Sequence, residues 1–252
     1  MTNCKKLEKV IFDITKGKAP GITEESLEAV TGNVSGILYV TDDITKAREM
    51  KESGGAVLIY LHEGNKEQDF SRFSYFIEGF DDVEEEYYNK VYLREHRLPW
   101  TIAETERLII REMTMEDKDA LYALYADKSV TAFMEDLPAD SEQQQEYIAE
   151  YMDKMYGLFE FGMWLVQKKD TGEVIGRVGF QNTEEEDAVE LGFLIAPKAQ
   201  GQGYAQEACK AAMEYMARNF SYLNIYAKCH KDNIAARAVC RKAEVLVRIV
   251  NF

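Results

Sequence analysis

The first hundred residues alternate short apolar runs with polar stretches of helical spacing, which is typical of an α/β unit. One helical stretch begins after Thr41-Asp42-Asp43, a polar strand end suited to capping, and stops at Gly54-Gly55. A strand, a helix and a second strand of these lengths predict a parallel crossover. The predicted strands are residues 36–40, 56–61 and 73–77, and the predicted helices are residues 44–52 and 83–93.

A proline marks the end of this unit. The stretch Arg97-Leu98-Pro99-Trp100 stops the preceding helix, because proline lacks the backbone N–H and disfavours a helical residue before it. We therefore expect two domains, an α/β accessory domain over residues 1–100 and a second domain over residues 101–252.

After this boundary, the pattern predicts one short strand, then two helices, and then several strands in succession. Ser141-Glu142-Gln143-Gln144 has the spacing of a capping box, and Lys169-Asp170-Thr171-Gly172-Glu173 predicts a hairpin turn. The pattern indicates an antiparallel meander rather than repeated strand–helix–strand units. The predicted strands are 107–111, 163–167, 174–180 and 189–195, and the predicted helices begin at 115 and 141.

The run from Gly192 to Ala205 reads as an apolar strand, a glycine turn and the start of an amphipathic helix. Such a turn directs backbone N–H groups and the positive end of a helix dipole at an anion, most often a phosphate. The dinucleotide fingerprint needs a small residue where Gln206 stands, and the Gly-Lys-Ser/Thr of a P-loop does not occur. The pyrophosphate of coenzyme A is the remaining interpretation.

Charge and composition limit the classes of molecule that the protein is expected to bind. The 252 residues carry a formal net charge of −15 with a sequence pI of about 4.8, which argues against a nucleic-acid partner. The acidity suits a cationic amine substrate, although solubility alone also explains it. Apolar runs are too short to cross a membrane. Cys4, Cys209, Cys229 and Cys240 form no Cys-x-x-Cys pair, and His62, His96 and His230 lack metal-ligand spacing. We expect a cytoplasmic protein with reduced thiols and no metal.

The order of motifs resembles the GNAT acetyltransferases over about residues 103–245, and most closely their RimJ/RimL branch. The resemblance implies an acyl-CoA N-acyltransferase fold of the α/β (α+β) class, with a mixed, largely antiparallel sheet, and acetyl-CoA as a substrate. The motifs that carry it are Glu104–Arg111, the hairpin, Glu190-Leu191-Gly192-Phe193, Gly201-Gln202-Gly203-Tyr204-Ala205, and Asn233-Ile234-Ala235-Ala236 followed by Lys242.

The resemblance also implies where acetyl-CoA binds. The cofactor would lie in a V-shaped gap between parallel strands at 188–195 and 222–229. Backbone groups of Leu194 and Ile195 would pair with the pantetheine arm, and a strand N–H near Ile195 is suited to donate to the thioester oxygen. Asn233 would contact the cofactor from the far side of the gap. The pyrophosphate would be held by N–H groups of Gln200, Gly201, Gln202, Gly203, Tyr204 and Ala205.

Direct attack of an amine on the thioester needs a base, because an amine is mostly protonated at neutral pH. Glu190 on the central strand is the candidate base, and a strand carboxylate without a kinetic role is the alternative. Cys240 stands where many family members have a tyrosine, so it is the candidate acid for the thiolate, with helix packing as the alternative. Ala236 stands where the branch commonly has a serine.

The acceptor side departs from the family pattern. The family usually continues with Lys-Leu-Gly-Phe and a further hairpin, whereas Lys242-Ala243-Glu244-Val245 is followed by residues for one strand. The acceptor pocket is then open, completed by a second subunit of a homodimer, or damaged. Acidic residues on the helices at 115–155 suit a cationic amine, but a solvated helix face explains them better. The candidate pocket residues are Glu135, Asp136, Asp140, Glu142 and Trp164.

The N-terminal unit faintly resembles HAD-type phosphatases at Lys9-Val10-Ile11-Phe12-Asp13 and Thr41-Asp42-Asp43, but Thr15 stands where the second aspartate of the first motif belongs. We interpret the unit as a degenerate module for docking or substrate presentation. The leading hypothesis is an N-acetyltransferase acting on a primary amine of a small molecule or a protein N-terminus. The alternatives are a catalytically weak acyl-CoA-binding module and an HAD-type phosphatase.

Overall fold

The computed structural model of the chain describes residues 6–14, 34–133, 137–138, 140–222 and 224–250. Contacts between Cα atoms divide the chain into two units, residues 1–100 and 101–252. Within the described residues, the first unit has a four-stranded sheet and the second a seven-stranded sheet. Thr15, Glu135 and Asp136, which the sequence singled out, lie outside the described residues.

The sheet of the first unit is parallel and buried on both faces. Its strands pair in chain order. Leu38, Val40 and Leu58 are fully buried, and apolar clusters cover both faces of the sheet, as expected when helices flank parallel strands. The elements are β1 (Lys9–Asp13), β2 (Ile37–Thr41), α1 (Ile44–Glu52), β3 (Ala56–Tyr60), β4 (Phe76–Ile77) and α2 (Glu85–Glu95).

Helix α1 has the bounds that the sequence predicts, because local chemistry fixes both of its ends. The Asp43 carboxylate accepts the N–H groups of Thr45 at 2.8 Å and Lys46 at 3.2 Å. At the other end, Gly54 adopts a left-handed φ of +80°, which ends the helix. The predicted parallel crossover between β2 and β3 is also confirmed.

The sheet of the second unit is mixed and largely antiparallel, as the family resemblance implies. Neighbouring strands from β5 to β9 are antiparallel, whereas β9, β10 and β11 run parallel to one another. The strands, in chain order, are β5 (Thr101–Glu104), β6 (Leu108–Arg111), β7 (Met163–Lys168), β8 (Val174–Asn182), β9 (Ala188–Ile195), β10 (Asn224–His230) and β11 (Leu246–Val250).

Helices cover both faces of this sheet. Arg177 and Val178 are neighbours on β8, so their side chains point to opposite faces. Arg177 contacts Tyr125 of α3, while Trp164, opposite Val178, packs on Tyr215 of α6. In the described part of the chain, no helix is long and apolar enough to span a bilayer. The helices are α3 (Lys118–Tyr125), α4 (Lys128–Thr131), α5 (Ser141–Tyr151), α6 (Tyr204–Asn219) and α7 (Ile234–Lys242).

One local prediction was wrong in detail, and one strand was missed. The N-cap of α5 is Asp140, whose carboxylate accepts the N–H groups of Glu142 at 3.0 Å and Gln143 at 3.3 Å. Asp140 and Ser141 are both good caps, and Asp140 starts the helix one residue earlier than the predicted capping box. Strand β5 was not predicted, because its four residues begin two positions after Pro99 and show little apolar pattern.

Asp117 anchors the start of α3 to β6. Its carboxylate binds the Arg111 guanidinium at 2.7 and 2.8 Å and accepts the Thr114 N–H at 2.8 Å. Burial by itself raises the pKa of Asp117, but the hydrogen bonds and charge of Arg111, together with Thr114, lower it further than burial raises it. A lowered folded-state pKa means that this stabilisation is present above the unfolded-state pKa of about 4 and is lost as the pH falls.

We therefore expect Asp117→Asn to lower the free energy of unfolding by about 2 kcal/mol at pH 7, and the melting temperature by about 5 °C. The difference from the native protein should shrink as the pH is lowered below about 4. Thermal unfolding followed by circular dichroism at several pH values measures both effects. Asp119→Asn, at an exposed position on the same helix, is the matched control; equal losses in the two variants would contradict the assigned role of Asp117.

Candidate active site

The pairing between β9 and β10 is short, and where it ends a gap opens in the sheet. The two strands are in register at Asn224–Ala188, Ile225–Val189 and Tyr226–Glu190. Beyond these positions β9 pairs with β8 as far as Ile195, while β10 pairs with β11 as far as His230. The parallel strands therefore diverge from a vertex at Glu190, which gives the V-shaped gap that the resemblance implies.

The backbone of β9 presents hydrogen-bonding groups to this gap. The Ala196 N–H donates to the Ile175 carbonyl of β8 at 2.8 Å, and alternate residues of a strand direct their groups to opposite edges. The groups of Phe193 and Ile195 therefore face the gap, whereas those of Leu194 face β8. Of the two residues expected to pair with the pantetheine arm, only Ile195 has this orientation. Its carbonyl already accepts Nε2 of Gln200 at 2.8 Å, which leaves its N–H.

A cradle of N–H groups lies at the open end of the gap. Gly201 and Gly203 have left-handed φ angles of +75° and +85°, a conformation that side-chain-bearing residues rarely adopt. The backbone N–H groups of residues 201–206 donate to no described residue, and they surround the positive end of α6. The N–H of Gln200, which was predicted to join them, instead donates to the Pro197 carbonyl at 3.2 Å. Five of the six predicted residues thus have a backbone N–H that is free to donate.

Arg107 holds the cradle in place, a role that sequence reasoning missed. Its guanidinium donates to the Gln202 carbonyl at 3.0 Å and to the Glu207 carboxylate at 2.8 Å. It also lies 4.4 Å from the centre of the Tyr204 ring. These contacts attach the glycine turn to the start of β6. The partners are about a hundred residues apart in sequence, so no local pattern could have indicated them.

Asn233 stands on the other wall of the gap, at the start of α7. Its side-chain Oδ1 accepts the Ala236 N–H at 3.0 Å, so the residue is the N-cap of this helix. Its Nδ2 group donates to none of the residues that the structure describes. The side chain is half-buried. Asn233 therefore combines a capping role with a free donor on the side predicted to contact the cofactor.

Glu190 lies at the vertex, on the face of the sheet opposite α6. Its side chain shares this face with Leu194, which packs on Leu124 of α3. The carboxylate is 12% exposed and binds the Lys228 ammonium at 2.7 Å. This hydrogen bond raises the pKa of Lys228. A carboxylate that can accept a proton is therefore present where the gap closes, but in the free protein it is paired with Lys228.

Cys240 is poorly suited to act as an acid. The thiol is completely buried and lies 4.0 Å from the sulfur of Cys229. The hydrogen bond to Cys229 and burial both raise the pKa of Cys240 well above its usual range. A buried thiol of this kind packs between α7 and the sheet, which matches the alternative that we gave for this residue.

We expect Cys240→Ala to leave kcat within about threefold of the native value while lowering the free energy of unfolding by about 1 kcal/mol. Release of free CoA and thermal unfolding measure the two effects separately. Cys209→Ala, which removes another buried thiol, is the control. A large loss of kcat at unchanged stability, absent from the control, would establish Cys240 as a proton donor instead.

The predicted acceptor wall is only partly formed by the residues named from sequence. Trp164 does not line it, because its ring is completely buried on the α6 face between Phe180 and Tyr215. The Asp140 carboxylate caps α5, and Glu142 is exposed. The strand that carries Trp164 alternates between two covered faces, so apolar pattern alone could not assign the side.

Sequence reasoning also missed a buried cation on the acceptor side. Arg177 lies on β8 beneath α3 and α5, and its residue exposure is 2%. An arginine within the apolar run 174–180 was the one available signal. Tyrosines contribute hydroxyl groups and ring faces around it. They are Tyr122, Tyr125, Tyr147, Tyr151 and Tyr156.

The residues behind the phosphatase resemblance are engaged within the first unit. Asp13 binds the Lys46 ammonium at 2.6 Å, Asp42 lies 3.0 Å from Nε2 of His62, and Asp43 caps α1. Across the described ranges, no group of three or more His, Cys, Asp or Glu side chains is arranged to hold a metal ion. This unit is an additional α/β region with a parallel sheet, and its HAD resemblance gains no support.

The mixed sheet, the divergent parallel strands and the N–H cradle together define a coenzyme A-dependent acyltransferase. Residues 107–245, more than half of the chain, match the acetyltransferase (GNAT) domain family. The chain belongs to this family. It is accordingly an acyltransferase whose acyl donor is acetyl-CoA.

Relatives and solved structures agree with this assignment. The chain is 29% identical over 147 residues to the uncharacterized N-acetyltransferase YoaA of Bacillus subtilis, covering 56% of this chain and 80% of that protein. It is 28% identical over 130 residues to the uncharacterized N-acetyltransferase p20 of Bacillus licheniformis, covering 51% and 73%. The apo structure of RimL, a ribosomal L7/L12 alpha-N-protein acetyltransferase, has a TM-score of 0.51 at 22% identity, covering 58% and 81%. RimL with coenzyme A has a TM-score of 0.50 at 22% identity, covering 57% and 82%. These two likenesses show the fold.

Proposed function

We propose that the chain is an N-acetyltransferase that moves the acetyl group of acetyl-CoA to a primary amine, with Glu190 as the general base. The observation that carries the proposal is the divergence of β9 from β10 beyond Glu190, with free N–H donors of residues 201–206 at the open end. The two features lie at opposite ends of one gap, which suits a long cofactor with an anionic middle and a reactive end.

In this proposal the cofactor runs from the cradle to the vertex. The pyrophosphate binds the N–H groups at residues 201–206, the pantetheine arm pairs with β9, and Asn233 donates from the far wall. Ile195 is five residues from Glu190, about 17 Å along an extended strand, whereas Phe193 is about 10 Å away. The N–H of Phe193 is therefore better placed than that of Ile195 to stabilise the oxygen of the reacting thioester.

The proposed reaction needs one base and no acid. The amine nitrogen attacks the thioester carbon and loses a proton to Glu190, directly or through water. The C–S bond then breaks, the C–N bond remains, and the coenzyme A thiolate takes a proton from solvent. For Glu190 to act, the incoming amine or water must share the carboxylate with Lys228, which binds it at 2.7 Å in the free protein.

The acceptor is proposed by class only, as a small molecule or a protein N-terminus. RimL is named for its action on the N-terminus of a ribosomal protein, so peptides with a free N-terminus should be among the acceptors tested. The N-terminal unit is proposed to dock or present the acceptor.

An amine screen with acetyl-CoA tests the proposal. Free CoA is measured for alkylamines, polyamines, amino acids, amino acid amides and short peptides, and acetyl-CoA affinity is measured by calorimetry. We expect acetyl-CoA to bind and at least one amine to release CoA above the hydrolytic background. Binding without release by any amine would support the weakly active module. The proposed acetyltransferase would be refuted if acetyl-CoA did not bind.

A further inference from the structure

The guanidinium of Arg177 is buried without a charged partner. It donates to the Tyr125 hydroxyl at 3.1 Å and to the Met163 carbonyl at 3.3 Å, and it lies 5.3 Å from the centre of the Tyr151 ring. No carboxylate of the described residues forms an ion pair with it, and its Nε–H has no hydrogen-bond partner among them.

A cation in this position is unfavourable until something neutralises it. A guanidinium does not lose its proton in a protein, and removing an unpaired charge from water costs several kcal/mol. Tyr151 cannot supply the negative charge, because burial raises its pKa to about 12. Glu112 is a buried carboxylate that acts electrostatically on Tyr156. A bound anion would supply the charge that Arg177 lacks.

A second unpaired group lies beside the first. The hydroxyl of Tyr122 is buried and has no hydrogen-bond partner in the described part of the chain. The hydroxyl of Tyr125 accepts a bond from Arg177, so its own hydrogen is free to donate. Both residues are on α3 and are half-buried. Two hydroxyl donors and the Nε–H of Arg177 form a set that matches the oxygens of a carboxylate.

This set shares a face of the sheet with Glu190. Arg177 is four residues along β8 from Gln181, the residue opposite Glu190, a distance of about 13 Å. Its guanidinium reaches back towards the vertex, because it contacts Met163, which is opposite Gly179. The sulfur of Met163 in turn lies over Gly192, between Glu190 and Leu194. Arg177 and Glu190 thus lie on one face of the sheet, with Met163 between them.

We propose that the acceptor amine also carries a carboxylate, which binds Arg177, Tyr122 and Tyr125 while the amine reaches Glu190. The inference rests on the proposed acetyltransferase activity and names the acceptor class. It departs from the expectation of a cationic acceptor that the net charge suggested. Arg177 is a specificity residue in this proposal, and the separation from Glu190 favours an acid whose amine and carboxylate are several bonds apart.

Matched acceptors test the inference. A series of ω-amino acids of increasing length, with α-amino acids included, is compared with the corresponding carboxamides by release of free CoA. We expect the acids to exceed their amides in kcat/KM by about 30-fold, mainly through KM, with an optimum at intermediate length. Amides that react as well as acids at every length would overturn the inference while leaving the acetyltransferase proposal intact.

Tyr122→Phe is the sharpest variant, because it removes a hydroxyl that has no partner in the free protein. The melting temperature should not fall, whereas KM for the best acid should rise about 10-fold and KM for its amide should stay unchanged. Arg177→Gln should abolish the preference for acids, and Arg177→Lys should restore part of it. Arg218→Gln, at an exposed position of α6, is the control for arginine loss.

Binding provides a readout that does not depend on turnover. With acetyl-CoA present, the best acid should raise the melting temperature of the native protein, its amide should not, and Tyr122→Phe should reduce the shift. If no amine releases CoA, the proposed function fails, but the shift in melting temperature still shows whether the protein binds a carboxylate. An unchanged KM for the acid in Tyr122→Phe, or no shift with any acid, would overturn the inference.

Discussion

Replacing Glu190 by glutamine is expected to lower kcat with acetyl-CoA and a saturating amine by about 100-fold or more. The amide keeps the shape of the side chain at the vertex of the gap but cannot accept the proton of the attacking amine. Stopped assays of CoA release measure the loss, and calorimetry should show unchanged affinity for acetyl-CoA.

Lys228→Gln is the matched control for this experiment. It breaks the same ion pair from the other side and leaves the carboxylate free. If Glu190 is the base, Lys228→Gln should retain turnover or increase it, since the carboxylate no longer shares its charge. If the two variants lose activity equally, Glu190 acts by holding β9 to β10, and its role as a base is refuted.

Gly203→Asp is expected to weaken acetyl-CoA binding by about 100-fold, which corresponds to about 2.7 kcal/mol. Gly203 has a φ of +85°, where a side chain adds about 1–2 kcal/mol of strain. A Cβ there would lie 3.4 Å from Nη2 of Arg107, the residue that fixes the turn. The new carboxylate would also face the pyrophosphate at the positive end of α6. Calorimetric titration with acetyl-CoA measures the loss directly.

Gly54→Asp separates the effect on the cradle from the effect of strain. Gly54 has a φ of +80°, and no atom lies within 4 Å of the position that a Cβ would take. This substitution places the same residue in the same backbone conformation, in the other unit. Its acetyl-CoA affinity should remain within about twofold of the native value. If Gly203→Asp bound acetyl-CoA with native affinity, the proposal that the cradle binds the pyrophosphate would be refuted.

Features set by neighbouring residues could be predicted from the sequence. The bounds of α1 follow from Asp43 and Gly54, and the hairpin between β7 and β8 follows from a turn that contains Gly172. The V-shaped gap came from the family resemblance, which located both of its strands. The apolar run around Glu190 predicted its strand. Alternation along that strand predicted that Glu190 and its two neighbours occupy opposite faces.

The remaining features depend on contacts between distant segments. Arg107 meets Glu207 across about a hundred residues, and Lys228 meets Glu190 only because β10 lies beside β9. The face occupied by Trp164 could not be read from β7, since helices cover both sides of the sheet. Burial of Arg177 is likewise a consequence of packing under two helices, although its place in an apolar run was visible.

The short pairing of β9 with β10 divides the sheet of the second unit into two parts. Three register positions connect strands β5 to β9 with strands β10 and β11. In the proposed binding mode, acetyl-CoA lies along β9 and takes the place of the missing length of strand beyond the vertex. Bound cofactor would then complete the sheet, so slow exchange of the Phe193 and Ile195 amide hydrogens should accompany the bound state.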